Sequence, residues 1–210
     1  MKAKTILDRA GVLLVDQTSI NWPRAELLGW LNDGQREVVI KRPDSCTRNE
    51  DMALAAGTKQ QLPSSALKLI EVVRNSGGHA ITPTARRTLD SNQRDWHVMD
   101  PSSKILHYVF DLRDPLHFYV YPPAAAGTKV EVIYSTSPKD CENEDAELGI
   151  SEVYANVLTD YVLYRAFSKP GEAGNANTAA SYYQTFTNSL TGKTAVDQMF
   201  APGQQAGQGQ

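Results

Sequence analysis

Ala66-Leu67-Lys68-Leu69-Ile70-Glu71-Val72-Val73-Arg74, followed by Asn75-Ser76-Gly77-Gly78, is where the apolar period of this chain becomes two. Aliphatic and β-branched residues bounded by a Gly-rich turn read as a strand. Two signals of the same kind lie downstream. His107-Tyr108-Val109-Phe110-Asp111 and Phe118-Tyr119-Val120-Tyr121 flank Arg113-Asp114-Pro115 as in a hairpin, and Lys129-Val130-Glu131-Val132-Ile133-Tyr134 is a further strand after the turn at Gly127. A short helix over 88–95 is weakly patterned between them. Outside the segment between Pro43 and Pro138 the period is helical. Ile6, Val12, Leu13 and Leu14 predict a loosely patterned helix over roughly 3–16, weakened by Gly11. Leu27, Leu28, Leu31, Gln35, Val38 and Val39 recur at helical spacing, with Asn21 as cap, Pro23 in the first turn, Lys41 and Arg42 at the negative end of the dipole, and Pro43 as the stop. Val153, Tyr154, Val157, Leu158, Tyr161 and Val162 predict a helix over about 151–168, ended by Pro170-Gly171. Ala176, Ala179, Ala180, Tyr183, Phe186 and Leu190 predict another over about 172–190, closed by Gly192.

Helices, then strands, then helices argue for α+β rather than a doubly wound sheet. The expected fold is a helical bundle of about four helices with an inserted antiparallel β region and an extended C-terminal arm. Residues 1–43 and 140–191 would form the bundle, 44–139 the β-rich domain and 192–210 the arm.

Composition removes several function classes. Among 210 residues there are 21 Lys+Arg and 24 Asp+Glu, a net charge of −3 that supplies no global basic field for nucleic acid. No apolar run is long enough for a membrane span, and Asp8 and Arg9 interrupt any signal-like apolar core, so the chain reads as a soluble intracellular product. Cys46 and Cys141 stand in no metal-ligand spacing and are expected as free thiols. Gly192-Lys193-Thr194 imitates the end of a phosphate-binding loop, but Thr187 stands where that motif needs Gly, and a helix precedes it instead of a strand. His107 and His117 could approach across the hairpin without a spaced third ligand, and the acids Asp140, Glu142, Glu144, Asp145, Glu147 and Glu152 read as a solvated lead into a helix N-terminus. The most basic stretch, Arg74, Arg86, Arg87 and Arg94, is the candidate for DNA contact as an alternative function. No catalytic residue, metal ligand or cofactor site is expected. The C-terminal tract has few side chains able to offset its ordering, which for 192–210 costs on the order of 20–40 kcal/mol. Order there requires a partner that grips it.

The residues resemble a known family. Trp22-Pro23, Glu26-Leu27-Leu28, Trp30-Leu31-Asn32-Asp33, Gln35-Arg36-Glu37 and Arg42-Pro43-Asp44 resemble the opening of the head-to-tail adaptor (connector) proteins of tailed, mainly short-tailed, bacteriophages. The likeness continues in Leu62-Pro63, Leu69 to Asn75, Asp95-Trp96, His107 to Asp111, Arg113-Asp114-Pro115 and Phe118 to Pro123. It closes in Tyr154-Ala155-Asn156, Asp160 to Ala166 and Gly174-Asn175. The resemblance implies a structural virion protein at the head-tail junction, assembled in the host cytoplasm, with no enzyme activity. It implies a ring, usually a dodecamer, beneath the portal protein, extending the DNA channel for the genome and docking tail nozzle or tail-fibre proteins. In related adaptors the C-terminal arm climbs onto the portal. The residues expected to bind it here are Gly192, Lys193, Val196, Met199, Phe200, Pro202, Gln204 and Gln210.

Overall fold

A computed structural model of the chain describes residues 1–171 and 173–200. It divides into two compact units, Met1–Arg42 with the chain from Pro138 onward, and Pro43–Ser137.

The first unit is helical. It holds α1 (Ala3–Leu13), α2 (Arg24–Lys41), α4 (Ala155–Ser168) and α5 (Ala176–Phe200). Helix α4 is central, packing against α1, α2 and α5. It buries Val157, Leu158, Tyr161, Val162, Leu163 and Ala166, so its apolar residues run round most of its circumference. Helix α2 approaches closely because Gly34 faces the Tyr161 ring. A Cβ there would stand 2.9 Å from Cδ1 and 3.3 Å from Cγ of Tyr161. Gly34→Ala gains up to about 1 kcal/mol of helix propensity, whereas overpacking a core costs about 1–3 kcal/mol. We expect a net loss of roughly 1 kcal/mol, seen as a lower urea midpoint; a raised midpoint would mean that the Tyr161 ring moves aside freely.

Residues 140–149 are tied down in this unit instead of being merely solvated. Asn32 donates from Nδ2 to Cys141 O (3.1 Å) and accepts from Cys141 N–H (2.9 Å), while Gln35, fully buried, accepts from Gly149 N–H at 2.7 Å. Arg24 holds Glu144 in a two-point pair (3.0 and 2.6 Å) and also Asp8 (2.7 Å); Arg36 holds Asp33 and Asp140. Backbone bonds from Ala3 and Lys4 to Ala146 O and Glu144 O complete the join. Gln35 thus sits in the apolar stripe of α2 as a hydrogen-bonding group.

The second unit is built on β1 (Thr47–Ala53), β2 (Gly57–Gln61), β3 (Ala66–Asn75), β4 (Thr82–Pro83), α3 (Arg86–Asn92), β5 (His107–Phe110), β6 (His117–Ala124) and β7 (Lys129–Thr136). They form a three-stranded sheet, β1-β7-β3, and a four-stranded sheet, β2-β6-β5-β4. One core collects Leu69, Val72, Val130, Val132 and Tyr134 of the first sheet with Tyr108, Phe118 and Val120 of the second. Period two puts the alternate residues Val109, Tyr119 and Tyr121 on the other face of the second sheet, where Leu89 of α3 and Trp96 cover them.

Four expectations need correction. The described residues hold five helices and seven strands in two sheets, 38% helix and 25% strand, which is an α+β mix rather than a helical bundle carrying a small inserted β region. The strands are not all antiparallel, since β4 pairs in parallel with β5. The arm does not begin at 192 as extended chain, because α5 continues to Phe200. A single interior glycine costs a helix only about 1 kcal/mol, and the Lys, Ala, Gln and Met that follow Gly192 favour helix until Pro202. Likewise Asn21 does not cap α2: Pro23 occupies the cap position, and no side chain caps it.

Candidate assembly interface

Helix α5 has one apolar face, and it is used. Ala179, Phe186 and Leu190 are buried, and a seam of rings joins α5 to α4: Tyr161 with Phe186 (centroids 5.2 Å apart), Tyr164 with Tyr183 (4.9 Å) and Phe167 stacked on Tyr182 (5.8 Å). These pairs fix an antiparallel register. The 25 residues of α5 span about 37 Å and the 14 of α4 about 21 Å, so α5 outruns its partner by roughly 16 Å. From Ala173 to Gly192 there is no acidic or basic side chain. Thr185, Thr187 and Thr191 turn their hydroxyls back to the carbonyls of Ser181, Tyr183 and Thr187 (3.1, 2.9 and 2.7 Å). The stretch to Gly192 is therefore uncharged, its threonine hydroxyls are bonded internally, and Ser181, Gln184 and Asn188 stand exposed as polar groups.

Of the expected portal-binding residues, Gly192 is exposed on α5, and Lys193, Val196, Met199 and Phe200 lie on its last turns. Pro202, Gln204 and Gln210 lie outside the described residues. The four arginines proposed for DNA are not four free charges. Arg74 pairs with Glu131 (2.5 Å) and Arg86 with Asp90 (3.5 Å). Arg87 opens α3 beside Arg86, and Arg94 follows that helix. Gly192-Lys193-Thr194 lies inside a helix, without the strand-to-helix loop that cradles phosphate. The β5–β6 register sets His107 opposite Tyr121 and Phe110 opposite Phe118, so His107 and His117 stand at different levels; they bond instead to Thr82 and Asp114. Among the described residues no group of three or more His, Cys, Asp or Glu could hold a metal ion, and no helix is long and apolar enough to cross a membrane.

Sequence reasoning missed the loop between α1 and α2. Asp16 is almost fully buried and accepts from three successive N–H groups, Ile20 (2.9 Å), Asn21 (2.8 Å) and Trp22 (2.9 Å). The Trp22 ring in turn donates to Ala166 O (3.1 Å) and meets Phe167 edge-on. The signal was Asp16 at the head of a short polar run that ends at Trp22-Pro23. Burial pushes the Asp16 carboxyl up, but the three backbone donors outweigh it and hold it below the ordinary carboxylate range. A group whose folded pKa is lowered adds stability that is complete above its unfolded pKa, about 3.9, and is lost as pH falls through the folded value. Hydrogen bonds and charge from Arg24, Arg74 and Arg113 act alike on Glu144, Glu131 and Asp111, the last held at about 2. Wild type should therefore be more resistant to urea than Asp16→Asn at pH 7, and the gap should narrow as pH falls below the ordinary carboxylate range. A gap independent of pH would show that charge at Asp16 contributes nothing.

A family model described as SU10 adaptor protein matches residues 1–206, nearly the whole chain. The chain belongs to the SU10 adaptor protein family. No match among curated proteins accompanies it. SU10 adaptors are phage structural components, and the chain is accordingly a virion adaptor with phage structural partners. For an SU10 adaptor the features to explain first are its interfaces. Here they are the charge-free stretch Ala173–Gly192 and the buttressed α1–α2 loop.

Proposed function

We propose that this SU10 adaptor forms a ring that connects the capsid portal to the tail, extends the DNA channel and docks tail nozzle or tail-fibre proteins, without catalysis. The family match over residues 1–206 carries the reading. Helix α5 supports it, because it outruns α4 and so provides a stem for a portal-binding tract built from Gly192, Lys193, Val196, Met199, Phe200, Pro202, Gln204 and Gln210. Weak net charge suits a channel wall, since strong phosphate contacts would retard sliding DNA. Many copies of a modest contact give a ring its avidity. Direct DNA binding through Arg74, Arg86, Arg87 and Arg94 is the weaker alternative, because two of the four already face carboxylates.

The test is the mass of the complex formed with the portal ring of the same virion. Full-length protein should give one discrete assembly, and a chain lacking 192–210 should leave the portal unchanged. Capture by the truncated chain would move the portal contact elsewhere. Salt-dependent binding to free duplex with no portal capture would favour the DNA alternative.

A further inference from the structure

Strands β1, β3, β2 and β4 form the edges of the two sheets, and three of these edges are blunted. Strand β3 pairs with β7 through three register shifts, and its far side is covered: Leu69 N–H donates to Pro115 O (3.2 Å) and Val73 O accepts from Ile81 N–H (3.0 Å). Strand β4 has two residues, one of them Pro83, and β2 has five, with a register shift after Gly57 and an exposed Lys59. Short length, bulges, proline and lysine are the usual devices that keep an edge from pairing. Strand β1 is the exception. Its seven residues pair with β7 without a register shift, include no proline or lysine, and are all exposed except Met52.

The ladder fixes which backbone groups of β1 are open. Cys46 O accepts from Thr136 N–H (2.9 Å), and at the other end Leu54 N–H donates to Thr128 O (2.7 Å) while Leu54 O accepts from Gly127 N–H (3.1 Å). Bonded and non-bonded positions alternate along an antiparallel pair, so Arg48, Glu50 and Met52 direct their amides to β7. The N–H and C=O of Thr47, Asn49, Asp51 and Ala53 point the other way, and among the described residues nothing bonds to them. Groups spaced by two residues are what one more strand would pair with.

We infer that this edge is a strand-addition site for an extended segment of a different polypeptide, with lysine or arginine opposite Asp51. The inference goes beyond the ring reading and does not depend on it. Charge selects the occupant. Glu50 and Asp51 hold the middle of the edge, with Arg48 toward its start and Lys129, on β7, opposite Ala53. A groove of about 350 Å³ beside them is lined by Asn49, Glu50, Asp51, Arg74 and Glu131. Within it Arg74 is taken by Glu131 (2.5 Å), and Glu50 accepts from the Tyr134 hydroxyl (2.6 Å). Asp51 feels the charge of Arg74 at longer range, but among the described residues its carboxylate has no hydrogen-bond or ion-pair partner. A second copy of β1 is the poorer occupant. Open positions must meet open positions, so antiparallel self-pairing over the whole strand sets Glu50 against Glu50, and a slide in one direction sets Asp51 against Asp51. Like charges directly opposite are destabilising, whereas a cation opposite Asp51 is favourable. The opposite slide, which sets Arg48 against Glu50, keeps only Thr47–Asp51 in contact.

Two measurements decide it. A capped heptapeptide of alternating threonine and lysine, titrated into the full-length protein, should slow amide exchange at Asn49 and Asp51 and bind about tenfold more tightly than its glutamate counterpart. Asn49→Pro removes an outward donor and no bond to β7, the one setting in which an edge strand tolerates proline. It should keep the cooperative thermal transition and weaken peptide binding about tenfold. Asp51→Lys, which leaves the backbone untouched, should reverse the preference between the two peptides. In assembled virions, a benzophenone amino acid in place of Ala53 should cross-link to another polypeptide beside a lysine or arginine. Equal affinity for the two peptides, or undiminished binding by folded Asn49→Pro, overturns the inference. Cross-links to a second copy alone would assign the edge to self-pairing and overturn it. No protection by either peptide, together with no cross-link, would show that the acids merely guard the edge.

Discussion

Phe186→Ala should destabilise the helical unit by about 3–5 kcal/mol, the usual loss for truncating a fully buried phenylalanine. The side chain has no exposed surface and stands between Tyr161 of α4 and Tyr183 of its own helix. Besides Phe186, helix α5 is held on α4 by the ring pairs of Tyr182, half-buried, and Tyr183, 38% exposed. Its other buried residues among those described are Ala179 and Leu190, one of which contributes almost no apolar area. Threonine, serine and asparagine fill much of the remainder, and each is a weaker helix former than alanine. Packing against α4 therefore supplies most of the order of α5. The loss should appear as a lower thermal midpoint and as chymotrypsin cleavage between Tyr182 and Tyr183, a bond protected in the wild type. Portal capture should fall in parallel if the C-terminal tract acts as proposed. Phe186→Leu, which keeps most of the volume, should cost well under half as much. Equal loss in both variants would show that ring geometry matters more than volume.

Trp96→Ala should cost the β unit a similar amount, about 3–5 kcal/mol. Trp96 is fully buried, lies against His97 with centroids 3.6 Å apart, and meets Tyr119 edge-on at 6.1 Å. Its Nε1–H donates to Asp90 Oδ1 at 3.0 Å, which joins the loop to α3. Leu89 and Val109 are the further buried members of this small cluster, with Met99, Tyr119 and Tyr121 packed against it partly buried, so most of the space left by the indole stays a cavity. Trp96→Phe keeps a ring but loses the donor. Because Asp90 is about half exposed, water can take over its oxygen, so this variant should lose only about 1–2 kcal/mol. Urea unfolding followed by far-ultraviolet dichroism and by the tyrosines of the β unit separates the two cases. A loss in Trp96→Phe as large as in Trp96→Ala would make the Asp90 bond, and not the packing, the dominant contribution.

Much of the fold was legible because its periodic elements are strong. The stripe from Leu27 to Val39 is α2, the run Ala66–Arg74 is β3 with one residue added, and the strand from Lys129 extends to Thr136 as β7. Tyr108, Phe118 and Val120 turn to one core and Val109 and Tyr119 to another, as alternation requires. Strand β1 was not legible. Thr47-Arg48-Asn49-Glu50-Asp51-Met52-Ala53 has neither alternation nor β-branched content beyond Thr47, and nearly all of it is exposed. It is a strand because β7 offers seven regular backbone partners. Strand β2 was missed for a related reason: Gly57-Thr58-Lys59-Gln60-Gln61 is polar, and Gln60 is buried by bonding its amide to Ala55 O and Gly57 O. The α1–α2 loop escaped notice because Asp16 acts on N–H groups four to six residues away, beyond any cap pattern anchored at the helix start.

Local composition by itself determined the helices α2 and α4, the principal strands, the lack of a broad basic field and the charge-free stretch Ala173–Gly192. These depend on residues within a turn or two of one another, where spacing and propensity act directly. Tertiary structure alone decided that the strands form two sheets, that β1 and β2 are strands, that Arg74 and Arg86 are paired with acids, and that Val15 and Ile20 stand exposed on a braced loop. Each of those depends on a partner distant in sequence, or on a backbone conformation that no side-chain pattern encodes.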